Sequence, residues 1–389
     1  MHFPPMFSKY TIGTFVLGAM MLASCGATGQ AAQKATNTPG PIDRNATPET
    51  AALFRNLMRL SENHTLFGHQ HATEYGHGWA GGKNRSDVHS VTGSHPAVIG
   101  VDFAGFSGRP QNIVEGAKEN LRVTVTDTYN RGGVTTVAWH FSNPVSGGDF
   151  YWKDSVSKPA VKYIIPGGAA HEHYKEILRG IGAWAKNVRG ADGKQVPMIF
   201  RPFHEFDGDW FWWGAAHCTR EEFVSLWRFT VSYLRDSLAV HNFLYAFSPD
   251  NRFNSEAQFL DRYPGDEWVD MVGLDNYGDM GRDGKYNLEA AARKLKIVSL
   301  YAQKRSKLAA FTETGLESIP NPKWWNDVLL HVMKGEDMKI SYVLVWRNDK
   351  TSPTHYYAPF PGHSSVPDFL QFYKDPYTLF EKDLPPMYR

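Results

Sequence analysis

The chain has 389 residues, 42% of them hydrophobic and 14% aromatic, which is ample apolar material for one large core or two medium ones and excludes a disordered chain. Lys and Arg number 41 against 40 Asp and Glu, a formal net charge of +1, so no basic face points to nucleic acid or anionic lipid and the expected partner is uncharged. The 12 Trp, 18 Tyr and 24 Phe exceed what such a core needs. Because indole N–H groups want partners, part of this set is expected to line a cleft offering flat apolar platforms.

Lys9, the apolar run Thr11–Leu22 and the following Ala23-Ser24-Cys25 read as a signal peptide over residues 1–24. The run is too short for a comfortable membrane span. Leu22-Ala23-Ser24-Cys25 resembles a bacterial lipobox, which implies cleavage before Cys25 and lipidation of its thiol; an ordinary secretory signal is the alternative. Cys218 is the other cysteine, so a lipidated Cys25 leaves no disulfide and the core must stabilise itself. Residues 25–46, rich in Ala, Thr, Gln, Asn, Pro and Gly, read as a flexible tether. The expected location is the bacterial cell envelope, lipid-anchored at the outer membrane or cell surface, with a periplasm-facing anchor as the variant.

Thr47 as N-cap and Pro48 at the first helical position open a helix with apolar Ala51, Ala52, Leu53, Leu57, Met58 and Leu60. Short β-branched or aromatic runs then alternate with segments of helical period. The runs are Leu66–His69, Ala97–Phe103, Thr135–His140, Pro197–Phe203, Phe243–Phe247, Met271–Leu274, Leu308–Thr312 and Tyr342–Trp346. The helical patterns between them include Tyr174–Lys186, Glu221–Ser237, Leu288–Lys304 and Lys323–Met333. Eight such units predict an α/β chain with a (β/α)8 TIM barrel, a single catalytic domain over residues 47–389. A doubly wound open sheet is the structural alternative, but no glycine-rich phosphate loop follows the first run.

The runs end in polar and aromatic groups: His69-Gln70-His71, Asp102, Trp139-His140, His204-Glu205, Asp275-Asn276-Tyr277, Thr312-Glu313 and Trp346-Arg347-Asn348. Apolar strands that deliver such groups at one end describe the mouth of a barrel, where active sites of this fold lie. Individually, His71 and Asp102 are better read as polar residues leaving the core.

Hydrolysis of a glycosidic bond needs two carboxyl groups facing each other across a cleft. Glu205 ends the fourth run and Glu313 the seventh, so a closed barrel points both inward from different sides. Glu205, between His204 and the aromatic run Trp210-Phe211-Trp212-Trp213, has surroundings that favour a protonated acid. Glu313, within prospective reach of Arg201, is the carboxylate expected to stay ionised as nucleophile. Arg201 is expected to support a neighbouring carboxylate rather than touch sugar, since its fork suits carboxylates.

Arg201-Pro202-Phe203-His204-Glu205 followed by Gly208-Asp209-Trp210-Phe211-Trp212-Trp213-Gly214 resembles the acid/base signature of family 26 glycoside hydrolases, β-mannanases of the retaining (β/α)8 clan. His140, Tyr277 in Asp275-Asn276-Tyr277, Glu313 in Thr312-Glu313-Thr314-Gly315, and Trp346-Arg347-Asn348 fall in the same order, so the resemblance spans about Thr47 to the C-terminus. It departs at Phe206-Asp207, where members often carry Met-Asn. The resemblance implies Glu205 as acid/base and Glu313 as nucleophile. It further implies His204 orienting the acid or contacting the attacked sugar, Trp210 bordering the leaving group, Tyr277 hydrogen-bonding the nucleophile and Trp346 flooring the attacked ring, with His140 and Arg347 in substrate binding. Retention requires carboxyl groups about 5 to 5.5 Å apart.

The expected substrate is β-1,4-linked mannan, galactomannan, glucomannan or a manno-oligosaccharide, cut internally or with release of mannobiose. Mixed-linkage β-glucan and β-1,3-xylan are same-family alternatives, and a non-catalytic surface glycan-binding protein is the rival class, disfavoured by the presence of both carboxylates. No cofactor is expected. His69/His71 and His171/His173 lack a further ligand at metal spacing, so no metal is expected either. The chain is expected to act as a monomer. Trp212 and Trp213 are expected to pack the loop after the fourth run, and Trp324-Trp325 to pack a helix. The loop 143–173, with Phe150, Tyr151, Trp152 and Tyr163, is expected to shape distal negative subsites.

Overall fold

A computed structural model describes residues 39–107 and 111–389; the signal peptide expected over residues 1–24 and the lipidated Cys25 lie outside the described residues. Eight parallel strands follow the predicted runs: β1 Thr65–Gln70, β2 Val98–Asp102, β3 Val134–Ala138, β4 Met198–Arg201, β5 Phe243–Phe247, β6 Met271–Asn276, β7 Leu308–Thr314 and β8 Tyr342–Val345. Each pairs with its successor, and β8 pairs back with β1 through Leu66↔Tyr342 to His69↔Val345, which closes the barrel.

Period-two alternation divides the strand residues between two cores. Leu66, Val98, Ile199, Leu244, Met271, Ala310 and Leu344 fill the barrel interior, and Leu53, Phe54, Leu57 and Leu60 of helix Pro48–Leu60 join them as a plug. This helix starts where predicted, with Thr47 Oγ1 accepting from Thr50 N at 3.2 Å. Phe67, Val101, Val137, Phe200, Tyr245, Val272, Phe311 and Val343 point outward against the helices. Trp212, Trp213, Trp324 and Trp325 are fully buried, as expected.

The helices between strands include His171–Asn187, Arg220–Ser232 and Leu288–Arg305. The patterns at Glu221–Ser237 and Lys323–Met333 differ in detail, because each includes a wide π-helical stretch, Tyr233–Ser237 and Trp325–Leu330. The tether boundary at residue 46 is corrected. Ile42 N donates to Asp270 Oδ1 at 2.7 Å, and Asp43, 4% exposed, pairs with His241 Nδ1 at 2.7 Å. These partners lie about 200 residues or more away in sequence, so composition alone could not show that residues 42–46 are fastened to the barrel.

Candidate active site

Ile199 of β4 faces the interior, so alternation also turns Arg201 inward, where it is 2% exposed. A guanidinium this deep needs anionic partners. Nη1 donates to Asp275 Oδ2 at 2.5 Å and to Ser248 Oγ at 3.2 Å, while Nη2 donates to Glu313 Oε2. Burial works against the charge of Arg201, but Asp275 and Glu313 outweigh it and hold the group firmly protonated. The other oxygen of Glu313 accepts from the Tyr277 hydroxyl at 2.9 Å.

Glu313 reaches this position through a break in alternation. From inward Ala310, strict period two puts Thr312 inward and Glu313 outward. Across β6 the partners run Gly273↔Ala310 and then Asp275↔Glu313, so β7 spends three residues where β6 spends two; the β8 side repeats this, Val343↔Phe311 and then Val345↔Thr314. The bulge turns Thr312 and Glu313 inward together, and Thr312 Oγ1 donates to Asp275 Oδ1 at 2.6 Å.

Glu205 lies just beyond the end of β4, on a turn in which Phe203 (φ 50°) and Glu205 (φ 52°) both occupy the left-handed region. Non-glycine residues pay about 1 kcal/mol or more each there, and such strain concentrates at functional sites. The turn is held by the buried Phe203 ring and by Glu205 N donating to Ser248 O at 2.9 Å. Trp210 Nε1 donates to Glu205 Oε2 at 2.7 Å. Burial first, then the charge of Glu313, raises Glu205 well above the ordinary carboxyl range, which favours its protonated form.

His204 is 1% exposed, and its Nδ1 has no protein partner among the described residues. Burial and the charge of Arg201 hold its imidazole well below the usual histidine value, hence neutral. Its ring meets His140 edge-on with centroids 4.8 Å apart. His140 is oriented by Asp102, whose Oδ2 pairs with Nδ1 and whose Oδ1 accepts from His140 N at 3.1 Å. Trp346 lies 5.7 Å from the His140 ring and is partly exposed. Arg347 pairs with Asp349 beside Tyr75, at the rim rather than with the carboxylates.

All the nominated side chains among the described residues thus lie on strand ends or their loops at one mouth of the barrel. Several further residues take part. Asp102, read as a polar residue leaving the core, orients His140. Asp275 shares Arg201 with Glu313, and Ser248 serves both Arg201 and the Glu205 backbone. The available signal is Arg201 itself, because the five N–H donors of an interior guanidinium call for more acceptors than one carboxylate supplies. In loop 143–173, Tyr151 bridges to Phe211 in antiparallel fashion and Trp152 N donates to Trp210 O at 2.6 Å. Tyr151 is 46% exposed and feels the charges of both Glu205 and Glu313. That loop is therefore joined to the segment carrying the indole partner of Glu205.

Residues 42–355 match the sequence profile of Glycosyl hydrolase family 26. A protein named mannan endo-1,4-beta-mannosidase from Bifidobacterium adolescentis is 37% identical over 309 residues, 77% of this chain and 30% of that protein, so the chain spans under a third of that relative. The solved structure of GH26C from Muricauda sp. MAR_2010_75 superposes with a TM-score of 0.84 at 41% identity, covering 90% of this chain and 96% of that one. A GH26 beta-mannanase from Bacteroides ovatus superposes with a TM-score of 0.81 at 38% identity, covering 88% and 98%.

Proposed function

The chain belongs to glycosyl hydrolase family 26, and from that premise we propose that it hydrolyses β-1,4-mannosidic bonds of mannan by double displacement, with Glu205 as acid/base and Glu313 as nucleophile. The observation that carries the assignment is the asymmetry of the two carboxyl groups. Glu313 is held and aimed by two donors, Arg201 and Tyr277, whereas Glu205 has, among the described residues, one indole donor on its side chain and a pKa raised by burial.

In the first step a Glu313 oxygen attacks the anomeric carbon while Glu205 gives its proton to the departing glycosidic oxygen. In the second, Glu205, now a carboxylate, takes a proton from water as that water attacks the anomeric carbon, and Glu313 leaves. The Tyr277 and Arg201 donors steady Glu313 as its charge is spent and recovered. Trp346 supplies the floor under the attacked sugar, His204 and His140 its polar wall, Trp210 the leaving-group side, and Arg347 a contact at the rim. One chain suffices for the reaction in this reading, since the whole constellation comes from a single chain. A lipid on Cys25 would hold it at the bacterial cell envelope and keep products near the cell. The support for that anchor is the Leu22-Ala23-Ser24-Cys25 sequence, and loss of metabolic palmitate labelling in Cys25→Ser tests it.

The enzymatic test is reducing-sugar release from β-1,4-mannan, mixed-linkage β-glucan and β-1,3-xylan, with Glu205→Ala and Glu313→Ala in parallel. Mannan-selective release, reduced by about 100-fold or more in both variants, is expected. Release undiminished in either variant removes the corresponding assignment.

A further inference from the structure

The loop after β6 carries a cation that the catalytic constellation does not use. Met280 and Tyr286 form an antiparallel bridge, and between them Gly281 (φ 113°), Asp283 (φ 57°) and Gly284 (φ 71°) make a tight turn with Arg282 near its tip. A Cβ on Gly281 would lie 2.6 Å from the Tyr286 ring, so the turn is built for glycine there. The backbone is tied back to the site by Met280 N donating to Tyr277 O at 3.1 Å.

Arg282 is exposed, yet its guanidinium does not drift into solvent: its central carbon lies 4.8 Å from the centroid of the Tyr277 ring, whose hydroxyl holds Glu313. Its charge is felt at Tyr151 after β3, Asp250 after β5 and Tyr357 after β8, three loops that surround the cleft mouth. Among the described residues the guanidinium has the Tyr277 ring as its contact and no hydrogen bond or ion pair, so its in-plane donors are available to a ligand.

The side of the cleft follows from Asp250. Asp207 accepts from Asp250 N at 2.7 Å and from Arg252 N at 3.2 Å, and Arg252 lies over the Trp210 ring at 5.0 Å. Trp210 is the indole that donates to the acid Glu205. The loop after β5 therefore belongs to the leaving-group side, and the loop after β6 is its neighbour.

We propose that Arg282 is a substrate-contact residue whose guanidinium hydrogen-bonds the hydroxyls of the mannosyl unit on the leaving-group side of the cleaved bond. The chemistry fits a neutral sugar. A planar fork offers two parallel N–H donors, and the axial O2 and equatorial O3 of mannose lie on one side of the ring as a pair of acceptors. Stacking on Tyr277 fixes the plane of the fork before substrate arrives, so less freedom is lost on binding. The proposal rests on the mannan-hydrolase reading above.

The test compares wild type with Arg282→Ala on two substrates, mannopentaose and 4-nitrophenyl β-mannobioside, the second of which has no sugar on the leaving-group side. The expected result is a loss of kcat/KM on mannopentaose that exceeds the loss on the aryl glycoside by about tenfold or more, the size of one charge-assisted hydrogen bond. That loss is expected mainly in KM, with the thermal midpoint unchanged. Equal loss on both substrates, which a role confined to bracing Tyr277 would produce, overturns the proposal, as does no loss on either. Wild type that cleaves neither substrate overturns the mannan-hydrolase reading and the proposal together.

Discussion

Asp275 and Glu313 face each other across β6 and β7 as register partners, and both carboxylates close on the guanidinium of Arg201. Two acids share one fully buried cation, so removal of Arg201 would leave both carboxyl groups without their counter-charge. This arrangement fixes the direction of Glu313 more strictly than strand geometry alone.

Arg201→Met should therefore be far more damaging than its volume change suggests. With two buried carboxylates left facing each other, about 3 to 5 kcal/mol of stability is expected to go, read as a lower urea midpoint. The same variant should lose activity, since Glu313 is no longer aimed. A midpoint within about 1 kcal/mol of wild type would show that the carboxylates relax by other means.

Glu205 makes an opposite demand. Its pKa is raised in the folded protein, so its contribution to stability is intact below the ordinary carboxyl value and is lost as pH rises through the folded value. Glu205→Gln should unfold at a higher temperature than wild type, with the gain absent in acid, growing as pH climbs above the ordinary range and levelling off past the folded pKa. Thermal melts across pH 4 to 9 check this, and a gain that shrinks with rising pH contradicts it.

The indole of Trp210 donates to Glu205 and so favours its anion, against burial. In Trp210→Phe the donor is gone while much of the ring surface remains. The alkaline limb of kcat/KM, which follows loss of the Glu205 proton, should move to higher pH, together with a lower plateau. A limb that moves to lower pH would mean that another group governs it.

The bulge at Thr312 can be tested from its neighbour. A Cβ on Gly273 would stand 2.5 Å from both Thr312 Cγ2 and Oγ1, inside the closed barrel. Gly273→Ala is expected to cost about 1 to 3 kcal/mol of stability through overpacking, and to lower kcat by displacing the Thr312-Glu313 segment. Wild-type kcat in a folded Gly273→Ala variant would show that the segment tolerates the shift.

Much of this architecture is legible in the chain itself. The eight runs were readable because each is short, β-branched or aromatic, and bounded by segments of helical period. Glu205 and Glu313 were readable because they terminate such runs. The wide π-helical turns at Tyr233–Ser237 and Trp325–Leu330 were not, since hydrophobic period barely changes across one widened turn. Nor was the inward aim of Glu313, which depends on a one-residue bulge that alternation argues against. Asp102 and Asp275 were underrated for a common reason. A strand-end carboxylate acquires meaning only from its partner, and their partners His140 and Arg201 lie 38 and 74 residues away in sequence.

The central claim is that Glu313 forms a covalent bond to the sugar and that Glu205 serves as acid and then as base. The most direct measurement is the anomeric configuration of the first product, followed by proton NMR within the first seconds to minutes of mannopentaose hydrolysis, before mutarotation. The β-anomer should appear first and the α-anomer grow in only at the rate of spontaneous equilibration. An α-anomer formed first would mean single displacement by water, and Glu313 would then be a base rather than a nucleophile.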